Sequence, residues 1–253
     1  MKSAGPLSPA YFLYHTFWCA VDWLFIPSCG GCGRSGTRWC EACQEKISRL
    51  AAPFCPRCGE PQTHDLICRK CLTHPPAYDA LRSFAIFCGP IQEALHRLKY
   101  KRDIGLGEIL SKHLIELYNQ FDWSIDIVSP VPLSAHRIKE RGYNQASMLA
   151  RPLAYAIGKP YQVVLRKNRD TRSQVGLSAR ERQQNVAGAF TSVPDQVKGR
   201  TILVIDDVTT TGSTINACAQ ALRQAGASAV YGLTLARAML QADADDRPTH
   251  ISQ

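Results

Sequence analysis

Four Cys-x-x-Cys pairs lie within residues 29–71: Cys29/Cys32, Cys40/Cys43, Cys55/Cys58 and Cys68/Cys71. A two-residue gap lets both sulfurs of a tight turn face one metal ion. Two such turns complete a tetrahedral thiolate site, the donor set that suits zinc. Eight ligands imply two zinc ions. Every position of each site is filled by sulfur, so none is open to water, and both ions read as structural. Sequential pairing makes two small ribbons, each closed over a short loop at low entropic cost, and is the favoured reading. Alternate pairing, a cross-braced module, stays open. A disulfide framework would need an oxidising compartment. Nothing in the chain signals export, which gives an expectation of a reducing, cytoplasmic location. Cys19, Cys88 and Cys218 stand outside the pairs and read as buried small apolar residues. His64 and His74 lie near the pairs but are redundant as ligands, and read as surface residues.

The remainder of the 253 residues is long enough for a substantial core, and 45% hydrophobic with 20% charged side chains is ordinary globular composition. The net charge is +9, concentrated as +7 over residues 79–183 and falling to −1 over 184–253. A middle segment of that sign favours anionic partners. The aromatic stretch Tyr11–Ile26 is interrupted by His15 and Asp22 and is too short and polar for a membrane span. It predicts an amphipathic helix packed on the protein. A membrane-surface or partner helix is the alternative.

The stretch Thr201–Thr214 carries the most chemistry. Residues 201–205 form a β-branched apolar run, followed by Asp206 and Asp207, a Thr/Gly/Ser loop and a helical pattern that ends at Gly226. Ile215, Cys218, Ala221, Leu222 and Ala225 mark one face of that helix. This is a strand–loop–helix unit of an α/β fold, with its loop at the carboxyl end of a strand, where open parallel sheets bind ligands. Backbone N–H groups and hydroxyls of Thr209, Thr210, Thr211, Gly212, Ser213 and Thr214 can wrap a phosphate at a helix N-terminus. The two acids cannot face that phosphate, and suit vicinal hydroxyls on the same ligand. Phosphate beside a diol describes a ribose 5-phosphate. No Gly-Lys-Ser/Thr is present, so this is not a Walker loop.

Val204–Thr214 resembles the phosphoribosyl-pyrophosphate (PRPP) motif of type I phosphoribosyltransferases. That resemblance implies a parallel sheet flanked by helices, with Asp206 and Asp207 on the ribose hydroxyls and the loop on the 5-phosphate. A second strand-like run, Ile125–Val131, leads into a basic loop carrying Arg137, Lys139 and Arg141 and then a helical pattern ending at Gly158. The resemblance assigns that loop to pyrophosphate. Residues 166–182 are basic and poor in apolar side chains. The resemblance makes them a loop closing over the ligand, with Arg169, Thr171, Arg172 and Gln174 as contacts. With the paired cysteines, Pro130-Val131-Pro132-Leu133, Arg141-Gly142-Tyr143-Asn144-Gln145 and Leu98-Lys99-Tyr100, the chain is similar to the ComF/GntX family over residues 20–237. The family carries an N-terminal zinc-ribbon module of four-cysteine sites and a phosphoribosyltransferase-like domain, and is linked to natural competence and use of external DNA.

The expected organisation is an N-terminal helix over 1–27, a double ribbon over 28–76, a transferase-like domain over 77–240 and a polar tail over 241–253. The expected ligand is PRPP with Mg²⁺, or another ribose 5-phosphate. Transfer would break the bond between the anomeric carbon and pyrophosphate, promoted by positioning and by charge neutralisation. No residue stands out as a general acid or base, and none is assigned. A non-catalytic DNA-handling or regulatory protein is the competing reading, with single-stranded DNA or a competence ATPase as candidate partners. Trp39, Phe54 and Tyr78 are then the candidate stacking aromatics, because residues 166–182 have none. The acceptor and oligomeric state are not legible.

Overall fold

In the computed structural model, residues 8–168 and 188–239 are described. In chain order the elements are α1 (Pro9–Leu24), α2 (Glu41–Glu45), α3 (Arg69–Thr73), β1 (Ala80–Ile86), α4 (Gly89–Tyr100), α5 (Leu106–Tyr118), β2 (Ile127–Pro130), α6 (Ala135–Arg141), α7 (Gln145–Ala156), β3 (Leu165–Lys167), β4 (Phe190–Ser192), α8 (Pro194–Val197), β5 (Thr201–Thr209), α9 (Ser213–Gln224) and β6 (Ala229–Arg237). Four strands form a wholly parallel sheet in the order β1-β6-β5-β2, and β3 pairs with β4 antiparallel.

The period-2 alternation of β5 builds a core on each face of the sheet. Leu203 and Ile205 face a cluster made with Leu95 and Leu98 of α4, Leu110 and Leu114 of α5, and Leu149 and Leu153 of α7. Ile202 and Val204 face the other cluster, with Ile215 and Leu222 of α9, Leu165 of β3 and Phe190 of β4. Cys55, Cys58 and Cys71 belong to this second cluster, so the second cysteine ribbon is built into the sheet's core. Cys29, Cys40 and Cys43 make a small cluster of their own with Trp39 and Ala42. Arg97 of α4 holds that first ribbon, donating to the Cys29 carbonyl at 2.7 Å and to Ser28 Oγ at 2.8 Å.

Several sequence expectations change. The strand at 201–205 runs on to Thr209, because β6 supplies ladder partners as far as Arg237. Asp206, Asp207 and Thr209 are therefore strand residues, and the loop proper shrinks to 210–212. The basic loop after β2 is mostly helix. Ser134 caps α6, accepting from Arg137 N, and Gly142 ends it at φ +84°. Of the unpaired cysteines only Cys218 is buried; Cys19 is exposed and Cys88 half-buried. Helix α1 does pack on the body, through Tyr11, a Tyr14–Tyr155 edge contact at 5.9 Å and a His15–Glu108 contact at 3.0 Å. The contact is narrow, however: Phe12, Leu13, Phe17, Trp23 and Leu24 stay exposed. Among the described residues no helix is long and apolar enough to cross a membrane.

Candidate functional site

The cysteines resolve into two groups in sequential order, Cys29/Cys32/Cys40/Cys43 and Cys55/Cys58/Cys68/Cys71, each with its sulfurs within 4.8 Å of one another. The cross-braced alternative is excluded. Adjacent sulfurs stand 3.6 Å apart in the first group and 3.7 Å in the second. A tetrahedron with Zn–S near 2.3 Å has edges of about 3.8 Å, whereas a disulfide needs about 2 Å. Backbone donors also suit thiolates. Burial alone would raise the Cys29 thiol, but N–H groups of Cys32, Cys40 and Gly31 outweigh it and bring it down to about 6. Cys55 comes down to about 7 in the same way, with burial outweighed by N–H groups of Cys68, Cys58 and Arg57, whereas burial and the neighbouring sulfurs push Cys43, Cys58 and Cys71 up. The residues fit two structural zinc ions, which would supply folding energy. His64 and His74 are exposed, as expected of surface residues.

At the second site, β5 delivers Asp206 and Asp207, the turn 210–212 follows, and α9 opens at Ser213. Gly212 caps α9 at φ +78°, a left-handed conformation that only glycine adopts without strain. A Cβ there would also lie 2.9 Å from Tyr78 Oη. The hydroxyls of Thr211 and Ser213 meet at 2.6 Å across the turn. The first backbone N–H groups of α9 lack intrahelical partners and form the positive end of the helix.

The two carboxyls lie against each other, and Asp207 N donates to Asp206 Oδ1 at 2.9 Å. Burial and the adjacent Asp207 push Asp206 well above the ordinary carboxyl range. Asp207 is itself 4% exposed, but an ion pair with Lys99 Nζ outweighs burial and holds its pKa down. The surroundings thus bias the two carboxyls in opposite senses, Asp206 towards its protonated form and Asp207 towards the carboxylate.

Beside β5, Val131 N donates to the Ile205 carbonyl at 2.8 Å, so the segment that leads from β2 towards α6 leaves the sheet beside the residue before the acid pair. Arg137 and Arg141 share one face of α6, four residues apart; Lys139 is exposed on another. Arg141 donates to Gln145 Oε1 at 2.9 Å and stacks 5.1 Å over the Tyr100 ring, next to Lys99. Tyr143 Oη donates to the Leu98 carbonyl, fixing the end of α4 that carries Lys99. Asn144 caps α7 and donates to the Val131 carbonyl at 2.9 Å. Arg169, Thr171, Arg172 and Gln174 lie outside the described residues.

Sequence reasoning passed over three cations here: Lys99, Arg237 and Lys70. Arg237 is 1% exposed and donates to the Thr210 carbonyl at 3.1 Å and to Glu60 Oε2 at 2.8 Å. Lys70 Nζ reaches the Thr211 carbonyl at 3.3 Å. Lys99 and Arg237 stood in segments matching the family pattern, but no spacing rule connects any of the three to residues 206–214.

A cysteine double ribbon bound to a parallel α/β sheet with a strand–acid–loop–helix unit defines a two-module, phosphoribosyltransferase-type protein. The double zinc ribbon domain matches residues 20–72, and the phosphoribosyl transferase domain matches residues 139–250. The DNA utilization protein YhgH of Escherichia coli strain K12 is 34% identical over 207 residues, covering 79% of this chain and 90% of its own. Competence protein F of Haemophilus influenzae is 30% identical, with 79% and 90% covered. Competence protein ComFC of Bacillus subtilis is 29% identical, with 78% and 83% covered. The chain belongs to the ComF/GntX family of competence and DNA-utilization proteins.

Proposed function

We propose that this chain binds PRPP, or another ribose 5-phosphate, at the carboxyl end of β5 and acts in the use of external DNA. The observation that carries the reading is the conjunction at residues 206–214: adjacent Asp206 and Asp207 towards the end of β5, with Asp207 buried against Lys99, followed by a left-handed Gly212 that opens the N-terminus of α9. In this reading Thr209, Thr210, Thr211, Gly212, Ser213 and Thr214 hold the 5-phosphate, and Asp206 and Asp207 hold the ribose hydroxyls. Arg137 and Arg141, which share a face of α6, receive the pyrophosphate, with Lys139 on another face outside that contact, and Mg²⁺ arrives bound to it. The reading also keeps the divisions at 1–27, 28–76, 77–240 and 241–253, and a cytoplasmic location where the zinc thiols stay reduced. Transfer, if catalysed, draws on positioning and charge neutralisation rather than on a named acid or base.

The test is isothermal titration of Mg²⁺–PRPP into wild type and the Asp206→Asn/Asp207→Asn double variant. Binding by the wild type and its loss in the variant are expected; equal binding by both would remove the site assignment.

The names of the relatives favour a second reading, direct handling of DNA. The aromatics of the head support it poorly. Tyr78 is 2% exposed, Trp39 donates to Gln44 Oε1 at 2.9 Å, and Phe54 lies 4.6 Å under the Arg82 guanidinium. A filter-binding series across salt decides it: absence of single-stranded DNA binding at low salt eliminates direct contact.

A further inference from the structure

The side chains of residues 209–214 are threonine, glycine and serine, all uncharged. A phosphate dianion held there has two carboxyls immediately upstream and no cation within the loop. The helix end supplies only a partial positive charge, so a full charge has to come from elsewhere in the fold.

The second ribbon brings one. Lys70 stands on α3 directly before the ligand Cys71, and its Nζ lies 3.3 Å from the Thr211 carbonyl. An ammonium group has three donors, and this contact uses one. Lys70 is exposed and has no carboxylate partner among the described residues. Arg237 holds the ribbon and loop in register, and the segment that leaves the ribbon adds two contacts of its own. Arg237 donates to the Thr210 carbonyl on one side and to the Cys58 carbonyl and Glu60 of the ribbon on the other. Tyr78 packs on Gly212, and Ala77 N donates to Asn216 Oδ1 in the first turn of α9 at 2.7 Å. The zinc knuckle that fixes Cys68 and Cys71 therefore also fixes where Lys70 sits.

We propose that the second zinc ribbon is a working part of the ligand site, and that Lys70 is its phosphate-binding cation. This rests on the ribose-phosphate reading and extends it: the phosphate is held by two modules, the loop from the sheet and the lysine from the ribbon. Lys70 swings its remaining donors from the Thr211 carbonyl towards the phosphate oxygens, a charge-assisted contact absent from the loop itself.

The experiment is titration of ribose 5-phosphate into wild type, Lys70→Gln, Lys70→Arg and the first-ribbon control Lys46→Gln. Zinc content and melting temperature are recorded for each. Lys70→Gln is expected to weaken binding about tenfold, the loss typical of one hydrogen bond to a charged group. Lys70→Arg is expected to retain most of the affinity and Lys46→Gln all of it, with zinc content unchanged throughout. Equal binding by wild type and Lys70→Gln would overturn the role of Lys70 and leave the ribose-phosphate site standing. An equal loss in Lys46→Gln would trace the effect to overall charge and overturn it too. No binding by the wild type would overturn the ribose-phosphate reading and this inference with it.

Discussion

Asp206 and Asp207 make opposite contributions to stability. Burial and its neighbour's charge raise the Asp206 carboxyl, so between the unfolded value near 4 and its folded value the native state holds a proton that the unfolded chain has lost. Stability then falls as pH rises through that window. Asp206→Asn keeps the Oδ1 acceptor for Asp207 N and removes this penalty. The variant is expected to be more stable than wild type in urea at pH 7, with the gain vanishing near pH 4. Asp207 has the reverse sign. Its folded pKa is depressed, so its contribution is present above the unfolded value and is lost as pH falls through the folded one. Lys99→Met strands that buried carboxylate and is expected to cost about 3 kcal/mol at pH 7, less as Asp207 protonates in acid. Urea titrations at both pH values check it, and an unchanged midpoint would show the ion pair to be idle.

At the scale of elements, the turn between β5 and α9 depends on one backbone conformation. Gly212→Ala puts a Cβ at φ +78° and 2.9 Å from Tyr78 Oη. It is expected to cost about 1–3 kcal/mol of stability and to weaken ribose 5-phosphate binding, both measurable on the purified variant. The unit was legible because its signals are local: a β-branched run, two acids, a Thr/Gly/Ser cluster, and an apolar helical face closed by Gly226. Where β5 ends was not legible, since that depends on how far β6 continues beside it. Helix α6 was hidden for a different reason. It is short and buries no side chain, so it carries no apolar periodicity, and its cap Ser134 and stop Gly142 also suit a loop. Lys70, Lys99 and Arg237 act across the fold; the Lys70–Thr211 contact spans 141 residues. No spacing pattern encodes such a meeting.

At the scale of the whole molecule, the two ribbons are equal in sequence and unequal in place. Both are four-cysteine sites, and metal analysis is expected to return two zinc ions per chain. The first ribbon's cysteines cluster with Trp39 and Ala42, while the second's join Leu81, Val204 and Ile215 in the core of the sheet. Cys68→Ser is therefore expected to lower the melting temperature of the transferase module more than Cys32→Ser, each losing one zinc. Equal effects would mean that burial in the sheet core adds nothing to the second site. The basic charge also divides by place. The excess over residues 79–183 includes Arg137, Lys139 and Arg141 of α6, but Lys99 in the same segment is committed to Asp207. Net charge alone therefore overstates what is free to meet an anion. Whether residues 206–214 hold a ribose phosphate is decided by calorimetric titration of Mg²⁺–PRPP. Saturable one-site binding by the wild type, lost in Asp206→Asn/Asp207→Asn with the fold intact, is the predicted result; the same isotherm for both proteins would contradict it.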